Sequence, residues 1–116
     1  MKFFRGFKFA FKGIYEAFRS GLNFKVHVLA LFTVIISGYY FNITTTEWSI
    51  ILLTSALVLS LEAMNSAIEQ ICNEITEERK ESIRIIKDMA AGAVLISSAI
   101  AIVIAGLIFG KYLFIT

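Results

Sequence analysis

A run of 22 residues from Met89 to Gly110 contains no charged side chain, and this constrains the chain more than any other feature. A helix needs about 20 mostly apolar residues to cross the roughly 30 Å of hydrocarbon in a bilayer. Two further stretches fit the same description. Residues 24–43 carry Lys25 and His27 only in the first turn, where long polar side chains can reach back to the headgroups. Residues 48–71 run free of strongly polar side chains until Glu62, Asn65, Glu69 and Gln70 in the later part. Hydrophobic residues make up 58% of the 116, above the roughly half typical of soluble chains. The expectation is one membrane domain over residues 1–116, an all-α membrane protein.

Residues 1–22 read differently. Phe3, Phe4, Phe7, Phe11, Ile14, Tyr15, Phe18 and Leu22 recur at spacings of three and four, with Lys2, Arg5, Lys8, Lys12 and Arg19 between them. That period predicts an amphipathic helix. Basic and rich in Phe, it suits the headgroup plane, with rings in the acyl region and cations near lipid phosphates. The alternative, a helix packed on a soluble core, leaves little core to pack against once three spans are assigned. Five cations with no long uncharged run before a cleavage site argue against a signal peptide, so the segment is expected to be retained. Pro is absent, which favours continuous helices joined by short turns. Six Lys or Arg precede or open the first span, four lie between Asn73 and Asp88, and none lies in residues 42–47. The positive-inside rule then predicts a cytoplasmic N-terminus and a cytoplasmic loop between the second and third spans.

The second span carries the chemistry. At about 100° per residue, Glu62, Asn65, Glu69 and Asn73 fall within an arc of about 80° and form one polar stripe. Counted from Trp48 at about 1.5 Å per residue, Glu62 lies roughly 21 Å along, still about 9 Å inside the hydrocarbon. An acidic residue at a span centre costs about 2.5–3.5 kcal/mol on insertion scales. Two on one stripe therefore ask for an ion, a proton or a partner, and function is the first hypothesis for them. The alternative is helix packing with both carboxyls protonated. Beyond the stripe, Arg79, Lys80, Arg84 and Lys87 occupy the loop that leads into the third span. Carboxylates hold Mg²⁺ and cations hold phosphates, and phosphoryl transfer is catalysed mainly by positioning and charge neutralisation. No G-x-x-x-x-G-K-[ST] run occurs, which excludes a P-loop. Cys72 is the one cysteine; it permits no intrachain disulfide and reads as an inert small residue.

The stripe runs Glu62-Ala63-Met64-Asn65-Ser66-Ala67-Ile68-Glu69, and some eighteen residues later comes Lys87-Asp88-Met89-Ala90-Ala91-Gly92-Ala93-Val94. In spacing and identity these segments resemble the prokaryotic diacylglycerol kinase and undecaprenol kinase family of small trimeric membrane enzymes. Lys12-Gly13-Ile14-Tyr15-Glu16 and Asn23-Phe24-Lys25-Val26-His27 are similar to that family's surface helix entering the first span, so the likeness covers nearly the whole chain. The resemblance implies an N-terminal surface helix with three transmembrane helices, assembled as a homotrimer in the prokaryotic inner membrane, with the active site on the cytoplasmic side. It implies an ATP- and Mg²⁺-dependent lipid kinase acting on undecaprenol or diacylglycerol. Glu62 would be the general base and Glu69 the metal ligand, with Asn65, Glu69, Lys87 and Asp88 lining the nucleotide site. The Asn-Phe-x-x-His pattern leans towards undecaprenol kinases. Membrane, lipid alcohol and ATP are the implied partners, and no nucleic acid is expected.

Two positions depart from the family. Gly21 stands where many members carry a Glu that completes the metal site with the residue matched by Glu69. On one continuous helix Glu16 lies about 140° away from that position, so it would substitute only through a local distortion. Asn73 stands where an Asp is common. The missing carboxylate motivates an alternative, a family-fold protein of weak or no catalysis that serves as a lipid-binding or assembly subunit. A transporter with a Glu relay is a third reading, weakened because nothing ionisable continues the stripe through residues 48–61.

Overall fold

A computed structural model describes residues 2–75 and 80–114, which form four helices: α1 Lys2–Ser20, α2 Leu22–Phe41, α3 Thr45–Ile75 and α4 Glu81–Phe114. The last three are long and apolar enough to cross a membrane. The expected order of one surface helix and three spans is therefore the order of the helices. Their ends differ from the apolar runs because hydropathy marks where hydrocarbon stops, while a helix ends only where its hydrogen bonds do. At about 1.5 Å per residue, α3 and α4 are roughly 46 and 51 Å long and outreach the hydrocarbon by more than about 15 Å.

On α1 only Ala17 is buried. Its rings stay exposed and meet edge to face, Phe3 and Phe7 with centroids 5.0 Å apart, while Lys12 and Arg19 lie over Phe9 and Tyr15. Apart from Phe18, which meets Phe24 of α2, the apolar face is left largely open, as an interfacial helix requires. The helix stops at Ser20, whose hydroxyl donates back to the Ala17 carbonyl at 2.8 Å. Gly21 is extended, with φ −175° and ψ 168°, and α2 starts after it.

The turn from α2 to α3 is tightly specified. Asn42 adopts the left-handed conformation at φ 53°, its N–H donates to the Gly38 and Tyr39 carbonyls, and the Ile43 N–H donates to Gly38 at 3.2 Å. This is a Schellman ending, which satisfies carbonyls that hydrocarbon could not. It also explains why α2 ends at Phe41 and leaves Ile43, at the end of the apolar run, outside the helix. A side chain at Gly38 would meet the Trp48 ring at 2.6 Å, so only glycine lets the indole close against α2. The α3 N-terminus is a capping box: the Glu47 N–H donates to Thr44 Oγ1 at 3.1 Å, and the Thr44 N–H donates to Glu47 Oε1 at 2.9 Å.

The same carboxylate ties in α4. Tyr112 donates its hydroxyl to Glu47 Oε1 at 2.6 Å, and Lys111 Nζ lies 2.5 Å from Oε2. Glu47 precedes the apolar run that opens at Trp48. Lys111 foremost, then Tyr112, holds its carboxyl well below the usual carboxylate range, at about 2. Around this end Ile43, Ile51 and Ile108 form the buried core, with Phe41, Trp48 and Phe109 packed on it. From there α4 follows α3 along their length, and α2 leans on the pair more loosely.

Candidate functional site

At the other end of α3 the polar stripe divides by depth. Glu62 and Asn65 are buried, with 3% and 7% of their surface exposed, whereas Glu69 and Asn73 are exposed. Asn65 Nδ2 donates to Glu69 Oε1 at 3.4 Å, which joins the buried half of the stripe to the exposed half. Asn65 Oδ1 is buried without a hydrogen-bond partner, an oxygen left free to accept a donor. Glu62 Oε2 lies 3.7 Å from His27 Nε2 on α2.

Lys87 and Asp88 separate. Lys87 Nζ donates to Asn73 Oδ1 at 2.8 Å, so it joins the stripe one rung beyond Glu69 and pins α4 to α3. Asp88 turns instead to Arg84, which donates to its Oδ2 at 2.7 Å and also binds Glu81. Successive residues on a helix face about 100° apart, so one of the two reaches α3 and the other stays on α4. Arg79 lies outside the described residues. Cys72 is buried and free, and among the described residues it joins no group of three potential metal-ligating side chains.

Two hollows flank the stripe. One, of about 130 Å³, lies between α1 and α3 among Gly13, Glu16, Ser20, Ser66 and Gln70; Glu16 there lies 3.8 Å from Arg19. The other is an apolar groove of about 320 Å³ between α2, α3 and α4, lined by Val26, His27, Val58, Ser98 and Ala101 among others. His27 lines this groove and also faces Glu62, so the groove ends beside the deepest carboxylate.

Among the described residues no three His, Cys, Asp or Glu side chains gather in a metal-binding group. The stripe nevertheless suits Mg²⁺ carried by a nucleotide, because that ion keeps several waters and needs only one or two carboxylates beside phosphate oxygens. Glu69 is exposed to offer one. At Gly21 an added Cβ would meet nothing within 4 Å, so the position has room for the carboxylate it lacks.

Sequence reasoning located the stripe and missed the part His27 plays in it; the side chain was expected to reach back to the headgroups. The available signal was its place in the series Phe24, His27, Leu31, Val34 and Gly38, which recurs at three and four along the partly or fully buried face of α2. Apolar residues surround that helix on every side, so no polar face exists to give the buried one away.

The sequence profile of the family described as prokaryotic diacylglycerol kinase matches residues 8–109. An undecaprenol kinase of Bacillus subtilis is 38% identical over 108 residues, covering 93% of this chain and 88% of its own. A diacylglycerol kinase of Haemophilus influenzae is 33% identical over 109 residues, 92% and 87% of the two chains. A diacylglycerol kinase of Synechocystis is 32% identical over 101 residues, 86% of this chain and 58% of that longer one. With a profile match over most of its length and relatives that keep the same extent, the chain belongs to the prokaryotic diacylglycerol kinase family of membrane lipid kinases.

Proposed function

We propose that this protein transfers the γ-phosphoryl group of ATP to the hydroxyl of a membrane lipid alcohol, undecaprenol or diacylglycerol. The observation that carries the reading is a carboxylate, Glu62, buried beside His27 and Asn65 at the end of an apolar groove. A lipid alcohol is amphiphilic in the same sense, an apolar tail ending in one hydroxyl. In the proposed reaction Glu62 accepts the hydroxyl proton as the oxygen attacks the γ-phosphorus, and the bond to the β–γ bridging oxygen breaks to leave ADP. Asn65 orients the nucleotide through its unpartnered oxygen and its link to Glu69. Glu69 would hold Mg²⁺, which when bound neutralises charge on the phosphates. Lys87, released from Asn73, offers a cation to the phosphates, and Asp88 keeps Arg84 in place beside them.

We further propose a homotrimer in the prokaryotic inner membrane with the N-terminus and this site on the cytoplasmic side. The side assignment rests on the loop cations, and the trimer on family membership. Chemical cross-linking in the membrane tests the oligomer. To test the activity, the purified protein is incubated in mixed micelles with labelled ATP, Mg²⁺ and each alcohol separately. Label is expected in one of the lipids from wild type and not from Glu62→Gln. Full transfer by Glu62→Gln would remove Glu62 as the base. The metal site favours a second reading, since Gly21 leaves Glu69 without a second carboxylate. In that reading the protein binds lipid and transfers little phosphate, and wild type labels neither alcohol.

A further inference from the structure

Polar side chains on α2 are nearly all accounted for without α3. Lys25 lies over the Phe18 ring, Asn23 is exposed, and Thr33 and Ser37 return their hydroxyls to carbonyls one turn back. Among the described residues His27 alone of these meets an ionisable group of another helix: its Nε2 is 3.7 Å from Glu62 Oε2, with 23% of the His27 side chain and 4% of the Glu62 side chain exposed. The other charges nearby are engaged elsewhere. On α1, Glu16 and Arg19 pair with each other; on α3, Glu69 takes the Asn65 amide; and α4 lines the adjoining groove with Ser98, Ala101 and other uncharged residues.

We propose that His27 is a positioning residue for Glu62, holding Oε2 through its Nε2–H so that Oε1 faces the incoming hydroxyl. This rests on the reading of Glu62 as the base. A carboxylate on a flexible side chain has two equivalent oxygens, and a base works only when one is within hydrogen-bond reach of the proton it removes. Fixing the other oxygen selects that orientation, as the carboxylate partner of a catalytic histidine does with the roles reversed. The 3.7 Å separation exceeds a direct bond of about 2.7–3.2 Å. One bridging water or a small side-chain rotation closes it, and such contacts often tighten only when substrate is bound. The hydroxyl proton passes to Glu62, while His27 keeps its own proton and takes no part in the transfer. Its place on the wall of the apolar groove puts this contact where the groove meets the carboxylate.

The test measures kcat and both KM values in mixed micelles with ATP, Mg²⁺ and the accepted alcohol, alongside thermal unfolding in detergent. His27→Leu is expected to lower kcat about 10- to 100-fold, the range for losing a group that orients a functional side chain, with KM values within about twofold. His27→Gln, whose amide can still donate, is expected to restore most of kcat. Should His27→Leu not fold, His27→Asn serves, since its amide is too short to reach Oε2 and the same loss is expected. In the Glu62→Gln background, His27→Leu should add no more than about twofold, because the two act as one unit. Wild-type kcat in the Leu or Asn variant, a Gln variant no better than Leu, or losses that multiply in the double variant would each overturn the proposal. Retained activity in Glu62→Gln alone is a different result, and it removes the base itself.

Discussion

Helix α3 holds two buried carboxylates, Glu47 in its first turn and Glu62 near its middle, and the two are treated in opposite ways. Glu47 is closed in: it caps its own helix, receives the Tyr112 hydroxyl and pairs with Lys111. Glu62 has a histidine at 3.7 Å, a neighbouring amide oxygen with no partner and an apolar groove beside it. The first arrangement joins the ends of α3 and α4 at the α2–α3 turn and engages both carboxylate oxygens. The second leaves hydrogen-bonding capacity unused in a place where unused capacity is expensive. What distinguishes a structural acid from a candidate functional one here is how completely its surroundings satisfy it.

The sharpest way to break this contrast is to neutralise each acid in turn. Glu62→Gln is expected to lower phosphoryl transfer about 10²- to 10⁴-fold, the usual worth of a general base, with an unchanged melting midpoint in detergent. A variant that instead melted early with normal specific activity would make Glu62 a packing residue like Glu47. At the closed end, Gly38→Ala pushes a methyl into the Trp48 ring and should cost about 1–3 kcal/mol of stability, read from denaturant or thermal unfolding.

Glu47→Gln should lower the unfolding midpoint by less than that, since the amide keeps part of the hydrogen bonding, and leave the specific activity of the folded protein intact. Its pH dependence has a definite sign. The carboxyl is lowered from 4.5 to about 2 in the folded chain, so its contribution is fully present above about 4.5 and is lost as pH falls towards 2. Wild type should therefore lose its advantage over Glu47→Gln on acidification through that window, and a constant gap would refute the assignment. The smallest effect is expected at Gly21→Glu. It should leave stability unchanged and lower the Mg²⁺ concentration for half-maximal transfer a few-fold, by adding a second carboxylate. An unaltered Mg²⁺ requirement would count against Glu69 as the metal residue.

Much of this was legible before any coordinates. Hydrocarbon forbids irregular backbone and taxes charge, so three apolar runs could only be helices. The helical repeat alone put Glu62, Asn65, Glu69 and Asn73 on one stripe. What it could not show was how that stripe splits, because burial of Glu62 and Asn65 against exposure of Glu69 depends on how α2 and α4 lie on α3. Lys87 and Asp88 were read together from the family resemblance, and only packing reveals that one reaches Asn73 and the other Arg84. Glu47 with Lys111 and Tyr112 escaped notice for a different reason: about 65 residues separate the partners, and no local pattern links them. His27 was hidden by an α2 that is apolar on all sides.

One consequence follows from α3 being a single unbroken helix from Thr45 to Ile75. Glu62 and Glu69 are seven residues, or about 10 Å, apart on the same rod. On the proposed reading of these two acids, that rod acts as a ruler between the place where an alcohol would give up its proton and the place where a nucleotide would be held. Thinning or thickening the surrounding bilayer slides both marks together and leaves the interval between them unchanged. On the same reading, a lipid whose hydroxyl floats at another depth would have to move to the ruler, and host-membrane thickness would select among substrates.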